Sequence, residues 1–376
     1  MAVPVLLMAH SLGEGGSERQ LIQTATGLAG GRFQPHVVSV AGGFGEEVLR
    51  RADIPVWRLP LRSFADWSAV SSARRLRRYI RQHSIRLVHP FDYTLTLFGV
   101  FATQFRPGVI TLASQRCFFD VVPAKYRSLL RLALRVADGV VVNSRALGEH
   151  LCQLRAAAPE RIHVCHNGVD TERFRPGPRR RLPELRDAGV VVGTVAVLRP
   201  EKNLGLLLRA FADLLAERPD LRLLIAGGGP EREALERQSA QLGIAPSVLF
   251  HPPVADVAPL LGSIDVFVHP SLSEGFPNAV MEAMASGCCV VVTDVGGCTE
   301  LVTHERTGLL FRNNDLAELT NQLRRAIARD GLRHALGEAA ARHIREHFSL
   351  ERMVRRMEQI YQMHLENRHT APDRLR

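Results

Sequence analysis

Two glutamates, Glu274 and Glu282, flank the run Gly275-Phe276-Pro277-Asn278-Ala279-Val280. The run follows an apolar stretch that ends at His269, turns through Gly-Phe-Pro, and opens a helical pattern from Asn278 to Met284. Backbone N–H groups in the first turn of a helix have no intrahelical acceptor, so those near Pro277 to Val280 are expected to form an anion site. An ionised carboxylate only accepts hydrogen bonds, which places Glu274 and Glu282 to grip neutral hydroxyl groups on either side of the bound anion. Taken alone, such a pair reads as a helix cap and a solvated face residue. The turn and helix between them favour a ligand instead.

Hydroxyls, a diphosphate, then hydroxyls again is the layout of a nucleotide sugar: sugar, diphosphate, ribose. A cation for the diphosphate is suggested by composition. Nearly all the positive charge is arginine, and lysine occurs only at Lys125 and Lys202, so Lys202 in Arg199-Pro200-Glu201-Lys202-Asn203 is not the default cation of this chain. Arg199 alone would pass as surface charge. Near the start, Leu12-Gly13-Glu14-Gly15-Gly16-Ser17-Glu18-Arg19 supplies glycines that let backbone approach a ligand. Its spacing fails the dinucleotide fingerprint, because Glu18 stands where the third glycine belongs.

These residues need elements to hold them. Apolar runs alternate with helical patterns to about Leu310, the signature of βα units and parallel sheets. Strands are expected at Val3–Met8, His36–Val40, Leu87–His89, Val109–Leu112, Gly139–Val142 and Ile162–His166. A second series is expected at Val190–Leu198, Leu221–Ala226, Val248–Phe250, Val266–His269 and Cys289–Thr293. The Pro- and Arg-rich stretch Arg173 to Pro183 suits neither element and reads as a linker. A length of 376 residues also exceeds what one core supports. The expected organisation is an N-terminal acceptor-side domain over 1–172, a linker over 173–186, a C-terminal nucleotide-sugar-binding domain over 187–348, and a helix and tail over 349–376. Within the last, Met353, Ile360, Tyr361 and His364 have helical spacing after Ser349. Open α/β sheets bind ligands beyond the carboxyl ends of their strands, so two such domains are expected to place theirs in a cleft.

The segment from Glu274 to Glu282 resembles the Glu-x7-Glu motif of the retaining GT-B glycosyltransferases of family four (glycosyl transferases group 1), in its spacing and its Gly-Phe-Pro-Asn-Ala filling. The likeness continues in register at Val197 to Asn203, at Ala226-Gly227-Gly228-Gly229-Pro230-Glu231, and at Asp294-Val295-Gly296-Gly297-Cys298-Thr299-Glu300-Leu301-Val302. It implies a GT-B fold of two Rossmann-like domains, with the C-terminal helix crossing back to the first. It further implies that Arg199 and Lys202 hold the donor diphosphate, a task that two cations at a strand end can perform as a divalent metal does elsewhere. Gly15 and Gly16 match a loop over the donor's diphosphate and sugar, and Gly229, Glu231 and Gly275 to Glu282 match donor-binding segments. Where many relatives carry a histidine after the fourth strand, this chain has Ala113-Ser114-Gln115-Arg116, similar to a Ser-x-Arg variant. Arg116 is then expected near the reacting phosphate or acceptor, with Ser114 helping to position it. His166-Asn167-Gly168-Val169-Asp170 also matches, but Asn-Gly is a turn former and reads as structural. So does His89.

Composition bounds what remains. The six cysteines show neither Cys-x-x-Cys nor metal-ligand spacing, and no Asp-x-Asp occurs, so a metal site is not expected; the resemblance implies a nucleotide sugar as co-substrate. A net charge of +10 favours an anionic partner. Two arginine-rich helical patterns, Ser72–Arg81 and Lys125–Arg135, could dock on an anionic membrane, whereas aromatic residues at 6% offer nucleic acid no stacking platform. The expected protein is a cytoplasmic glycosyltransferase, peripheral on the inner face of the membrane. It would act on glycan or polyprenyl-linked acceptors, of the bacterial exopolysaccharide or lipopolysaccharide type. The rivals are a nucleotide-sugar epimerase of the same fold and a non-catalytic assembly partner at the membrane.

Overall fold

The computed structural model describes residues 2–13, 15–63, 67–104, 106–178 and 180–370. Met1, Glu14 of the glycine-rich loop, Arg179 of the Pro- and Arg-rich stretch and the tail 371–376 lie outside the described residues. The chain divides into two compact units, one formed by Met1–Gly168 with Leu350–Arg376, the other by Val169–Ser349.

In the first unit the described strands are β1 (Val3–Ala9), β2 (Phe33–Ser39), β3 (Val56–Arg58), β4 (Leu87–Pro90), β5 (Ile110–Gln115), β6 (Gly139–Val142) and β7 (Ile162–Val164). They pair in parallel in the order β3-β2-β1-β4-β5-β6-β7. Between them run α1 (Gly16–Leu28), α2 (Gly45–Arg51), α3 (Trp67–Gln82), α4 (Tyr93–Thr103), α5 (Ala124–Val136) and α6 (Arg145–Gln153). Helices on both faces bury the inner strands, β6 throughout and β1 from Val5 onward, which is why both read as unbroken apolar runs. Pro35 is tolerated inside β2 because there the strand pairs with β1, while β3 joins only from Val37 onward.

The second unit holds β8 (Val190–Val195), β9 (Leu221–Ala226), β10 (Val248–His251), β11 (Val266–His269), β12 (Cys289–Thr293) and β13 (Leu309–Phe311), parallel in the order β10-β9-β8-β11-β12-β13. Its helices are α7 (Leu204–Glu217), α8 (Arg232–Gln241), α9 (Ala258–Gly262), α10 (Asn278–Ala285), α11 (Cys298–Leu301), α12 (Leu316–Ala328) and α13 (Asp330–His347). Strands β3 and β13 were not expected from the sequence. Each is a three-residue edge strand, too short to show a period.

Both sheets are doubly wound, with the strand order reversing between β1 and β4 in the first and between β8 and β11 in the second. Such reversals leave a crevice at the carboxyl ends of the strands. The Pro- and Arg-rich stretch is bound to the second unit: Phe174 lies in its core, and Arg181 pairs with Asp265 at 2.5 Å. The unit boundary therefore falls earlier, between Gly168 and Val169.

The final helix, α14 (Leu350–Thr370), belongs to the first unit. Met353, Val354, Met357, Ile360 and Tyr361 recur at helical spacing and pack into the core around β1 and α1. Gly27 permits the approach of α1, since a Cβ there would lie 2.3 Å from a Val354 methyl.

Candidate functional site

In the second unit the predicted residues gather beyond β8 and β11, the neighbouring strands at the reversal. After β8 the chain makes a short 3-10 turn, Pro200–Lys202, opened by a proline whose missing N–H costs nothing there. Asn203 ends the turn in the left-handed region at φ 51°, which asparagine tolerates better than most residues, and α7 follows. The loop before the turn is sewn to the glycine-rich segment after β9. Leu198 N–H donates to Gly228 O at 2.8 Å, and Glu231 N–H donates to Leu198 O at 3.0 Å. Gly227 adopts φ 141°, and a Cβ there would come within 1.9 Å of Ala196 O, so the close approach requires glycine. Gly229 and Glu231 thus brace the loop that carries Arg199. Arg199 itself is exposed, 3.8 Å from Glu201.

After β11 the chain passes Pro270–Pro277 and enters α10. Leu272 N–H donates to Glu201 O at 2.8 Å, tying this segment to the turn after β8. That tie brings Lys202 Nζ to 2.5 Å from Glu274 Oε1. The same oxygen accepts from His269 Nε2 at 2.8 Å, and Ser271 Oγ lies 3.1 Å from that nitrogen. Burial pushes the Glu274 carboxyl up, but Lys202 and His269 more than offset it and hold the group far below the usual carboxylate range. Glu274 is therefore ionised and remains an acceptor.

The loop is held from behind by Gly296–Gly297. Gly297 N–H donates to Glu274 O at 3.2 Å, and a Cβ on Gly297 would lie 2.1 Å from Gly275 O. Phe276 is buried against Phe348, with ring centroids 5.4 Å apart. Pro277 precedes α10, where Val280, Met281, Ala283 and Met284 face the core and Asn278 and Ala279 are partly exposed. Glu282 is buried within this helix rather than lying on a solvated face.

In the first unit Gly15 is extended just before α1, and Gly16 is the first helical residue. A Cβ on Gly15 would meet the Glu18 carboxylate at 2.1 Å; Glu18 folds back there and accepts from Ser11 Oγ at 2.9 Å. Arg116 follows β5. Its guanidinium lies over the Phe91 ring, 4.5 Å from the centroid, and Nη1 donates to Asn167 Oδ1 at 2.9 Å. Burial lowers its pKa to about 10, which leaves it cationic at neutral pH.

Ser114 does not position Arg116 as expected. Its hydroxyl is 2.7 Å from His89 Nε2, because the two residues lie inside the adjacent strands β5 and β4 while Arg116 lies just past the carboxyl end of β5. Tyr361 OH meets the other His89 nitrogen at 2.7 Å, so His89 is satisfied on both sides within the core. Burial and the Arg116 charge push its pKa down, keeping it neutral.

Three residues near these groups were missed. His269 and Ser271 flank Pro270 at a strand end, which hinted at position without revealing reach. Asn167 was read as a turn former, yet its side chain holds Arg116. Among the described residues, no three His, Cys, Asp or Glu side chains are grouped to hold a metal ion.

Residues 14–173 match the model of Glycosyltransferase Family 4, and residues 180–343 match that of Glycosyl transferases group 1. The chain is 34% identical over 234 residues to a D-inositol 3-phosphate glycosyltransferase of Streptomyces coelicolor, an overlap covering 55% of this chain and 51% of that one. It spans about half the length of the curated relatives it matches. In fold it is similar to Anabaena Alr3699/HepE in complex with UDP, with a TM-score of 0.83, 21% identity and coverage of 96% of this chain and 100% of that one. A glycosyltransferase from Rickettsia africae gives a TM-score of 0.83 and 21% identity, covering 98% of this chain and 100% of that one. The two family models adjoin along nearly the whole chain, and the chain belongs to the group 1, family 4 glycosyltransferases, built on two parallel Rossmann-like sheets of the GT-B kind.

Proposed function

We propose that this chain transfers a sugar from a nucleoside-diphosphate sugar to an acceptor hydroxyl, with retention at the anomeric carbon. The observation that carries the reading is the contact of Lys202 and Glu274 at the strand reversal of the second sheet. It sets a cation for the diphosphate beside a carboxylate for sugar hydroxyls. In this reading Arg199, Lys202 and the first turn of α10 stabilise the departing diphosphate, and Glu282 takes the ribose. Gly15 and Gly16 let backbone approach the donor, and Gly229, Glu231 and the Gly275–Val280 segment shape its site. The bond from the anomeric carbon to diphosphate breaks, and a bond to the acceptor oxygen forms on the same face. The acceptor proton passes to the leaving phosphate oxygen. No metal is assigned a role.

The acceptor is a glycan or a polyprenyl-linked lipid in cell-surface polysaccharide synthesis, met at the inner face of the membrane. The α3 and α5 helices support this: arginines crowd the exposed face of α3 beside exposed Trp67 and Val70, and α5 exposes Lys125 and Arg135 with Leu129 and Leu132. Among the described residues no helix is long and apolar enough to cross a membrane, so contact would be peripheral. A second reading takes a phosphorylated cyclitol as acceptor. The name of the relatives suggests it, and the cationic Arg116 suits a phosphate.

Donor hydrolysis across a panel of nucleotide sugars tests the central claim, with uridine donors first because the structural neighbour binds UDP. Expected is slow hydrolysis of one donor, with faster donor consumption by transfer once its acceptor is added. Conversion of donor to an epimer without acceptor would favour the epimerase, and nucleotide binding without turnover on any acceptor would favour a non-catalytic partner.

A further inference from the structure

We propose that His269 is a positioning residue that fixes one oxygen of Glu274 so that the other is presented to a hydroxyl of the transferred sugar. The proposal rests on the reading of Glu274 as the group that holds that sugar.

All side-chain hydrogen bonds of Glu274 among the described residues fall on Oε1, from His269 Nε2 at 2.8 Å and Lys202 Nζ at 2.5 Å. Oε2 takes none. A carboxylate donates nothing, so His269 Nε2 carries the proton of that bond. The terminal torsion of glutamate is broad, and a carboxylate held by one flexible donor would swing. Two donors, one on the turn after β8 and one at the end of β11, stop that motion.

The two donors are not equivalent. Lys202 is a point charge on a four-carbon stem and is also drawn to the diphosphate. His269 has no such freedom. It is the last residue of β11 and is 2% exposed. Its ring is near-parallel to Phe267, and its carbonyl accepts from Thr293 Oγ1 at 3.2 Å. When Lys202 turns toward phosphate, His269 is the group that keeps Glu274 in register.

Kinetics and calorimetry on the full chain, with the donor found by hydrolysis, test this. His269→Phe keeps the ring and removes the donor; His269→Gln can donate from a position close to Nε2; His269→Asn falls short. His269→Phe and His269→Asn are expected to lower kcat roughly 10- to 100-fold, the scale of a misplaced group, with affinity for the nucleoside diphosphate nearly unchanged. His269→Gln should recover most of the loss. Equal losses in the Gln and Asn variants, or a loss of nucleotide affinity, would make His269 merely structural and overturn the proposal, and that comparison stands even where the Phe variant does not fold. Glu274→Gln separates the two claims. If it keeps full turnover, the reading of Glu274 fails; if it loses turnover while His269→Phe and His269→Asn do not, only the positioning role fails.

Discussion

Lys202 Nζ and Glu274 Oε1 lie 2.5 Å apart although 72 residues separate them in the chain, so the cation assigned to the diphosphate and the carboxylate assigned to the sugar form one unit. Lys202→Ala is accordingly expected to lower kcat by about a hundredfold or more, the scale of losing an electrostatic stabiliser. Residues in contact are non-additive, so Lys202→Ala with Glu274→Gln should cost less than the sum of the single changes. Additive losses would mean that the contact has no part in turnover. Activity should also persist in excess chelator; abolition with rescue by manganese would contradict the assignment of charge stabilisation to protein groups.

The two glutamates should separate in calorimetry. Glu282→Gln is expected to weaken nucleoside diphosphate binding by roughly 1.5–3 kcal/mol, the value of a hydrogen bond to a charged group. Glu274→Gln should leave that binding nearly intact and depress turnover. A loss confined to Glu274→Gln would place the donor the other way round.

Gly297→Ala puts a methyl 2.1 Å from Gly275 O, a backbone atom that cannot swing aside. The Glu274–Phe276 loop must then shift, at about 1–3 kcal/mol of stability, typical of overpacking. Denaturant unfolding should show the loss and the donor-hydrolysis assay a fall in turnover. A variant with native stability and turnover would show that the loop has slack.

Acid should weaken the seat of α14. His364 Nε2 lies 3.0 Å from His163 Nε2, and burial lowers both pKa values: His364 and Arg356 help hold His163 at about 4, and Arg161 helps lower His364. The unfolded chain takes up these protons first as pH falls through about 6.5. Stability should therefore decline from there toward pH 4, and the buried His89 acts in the same direction. In urea melts against pH, His163→Asn with His364→Asn should flatten part of that slope; an unchanged slope would remove the pair from the account.

Membrane contact predicts sedimentation with anionic vesicles at low salt and release as salt rises, since exposed charges are screened. Charge reversal at Arg74, Arg75 and Arg78 should abolish it. Arg77 is a poor choice, because its Nε holds Ala102 O at 2.8 Å. Protein that stays in the supernatant would leave α3 with an ordinary solvated face.

Much of this was legible in the sequence because the relevant information is local. Short, valine-rich apolar runs such as Gly139–Val142 and Cys289–Thr293 read as strands covered on both faces, and the alternation with helices points to parallel sheets. Loops after such strands carry the polar groups, so the Glu274–Glu282 and Arg199–Lys202 stretches stood out. What the chain could not reveal is strand order. The loops after β8 and β11 meet because those strands are neighbours, although β9 and β10 intervene in sequence. Lys202 therefore finds Glu274, and Tyr361 finds His89 across 272 residues because α14 packs back into the core of the first unit. Which nitrogen or oxygen faces which partner is settled only when packed strands and helices fix each side chain's direction. That is why His269, Asn167 and the true partner of Ser114 emerged from the tertiary structure alone.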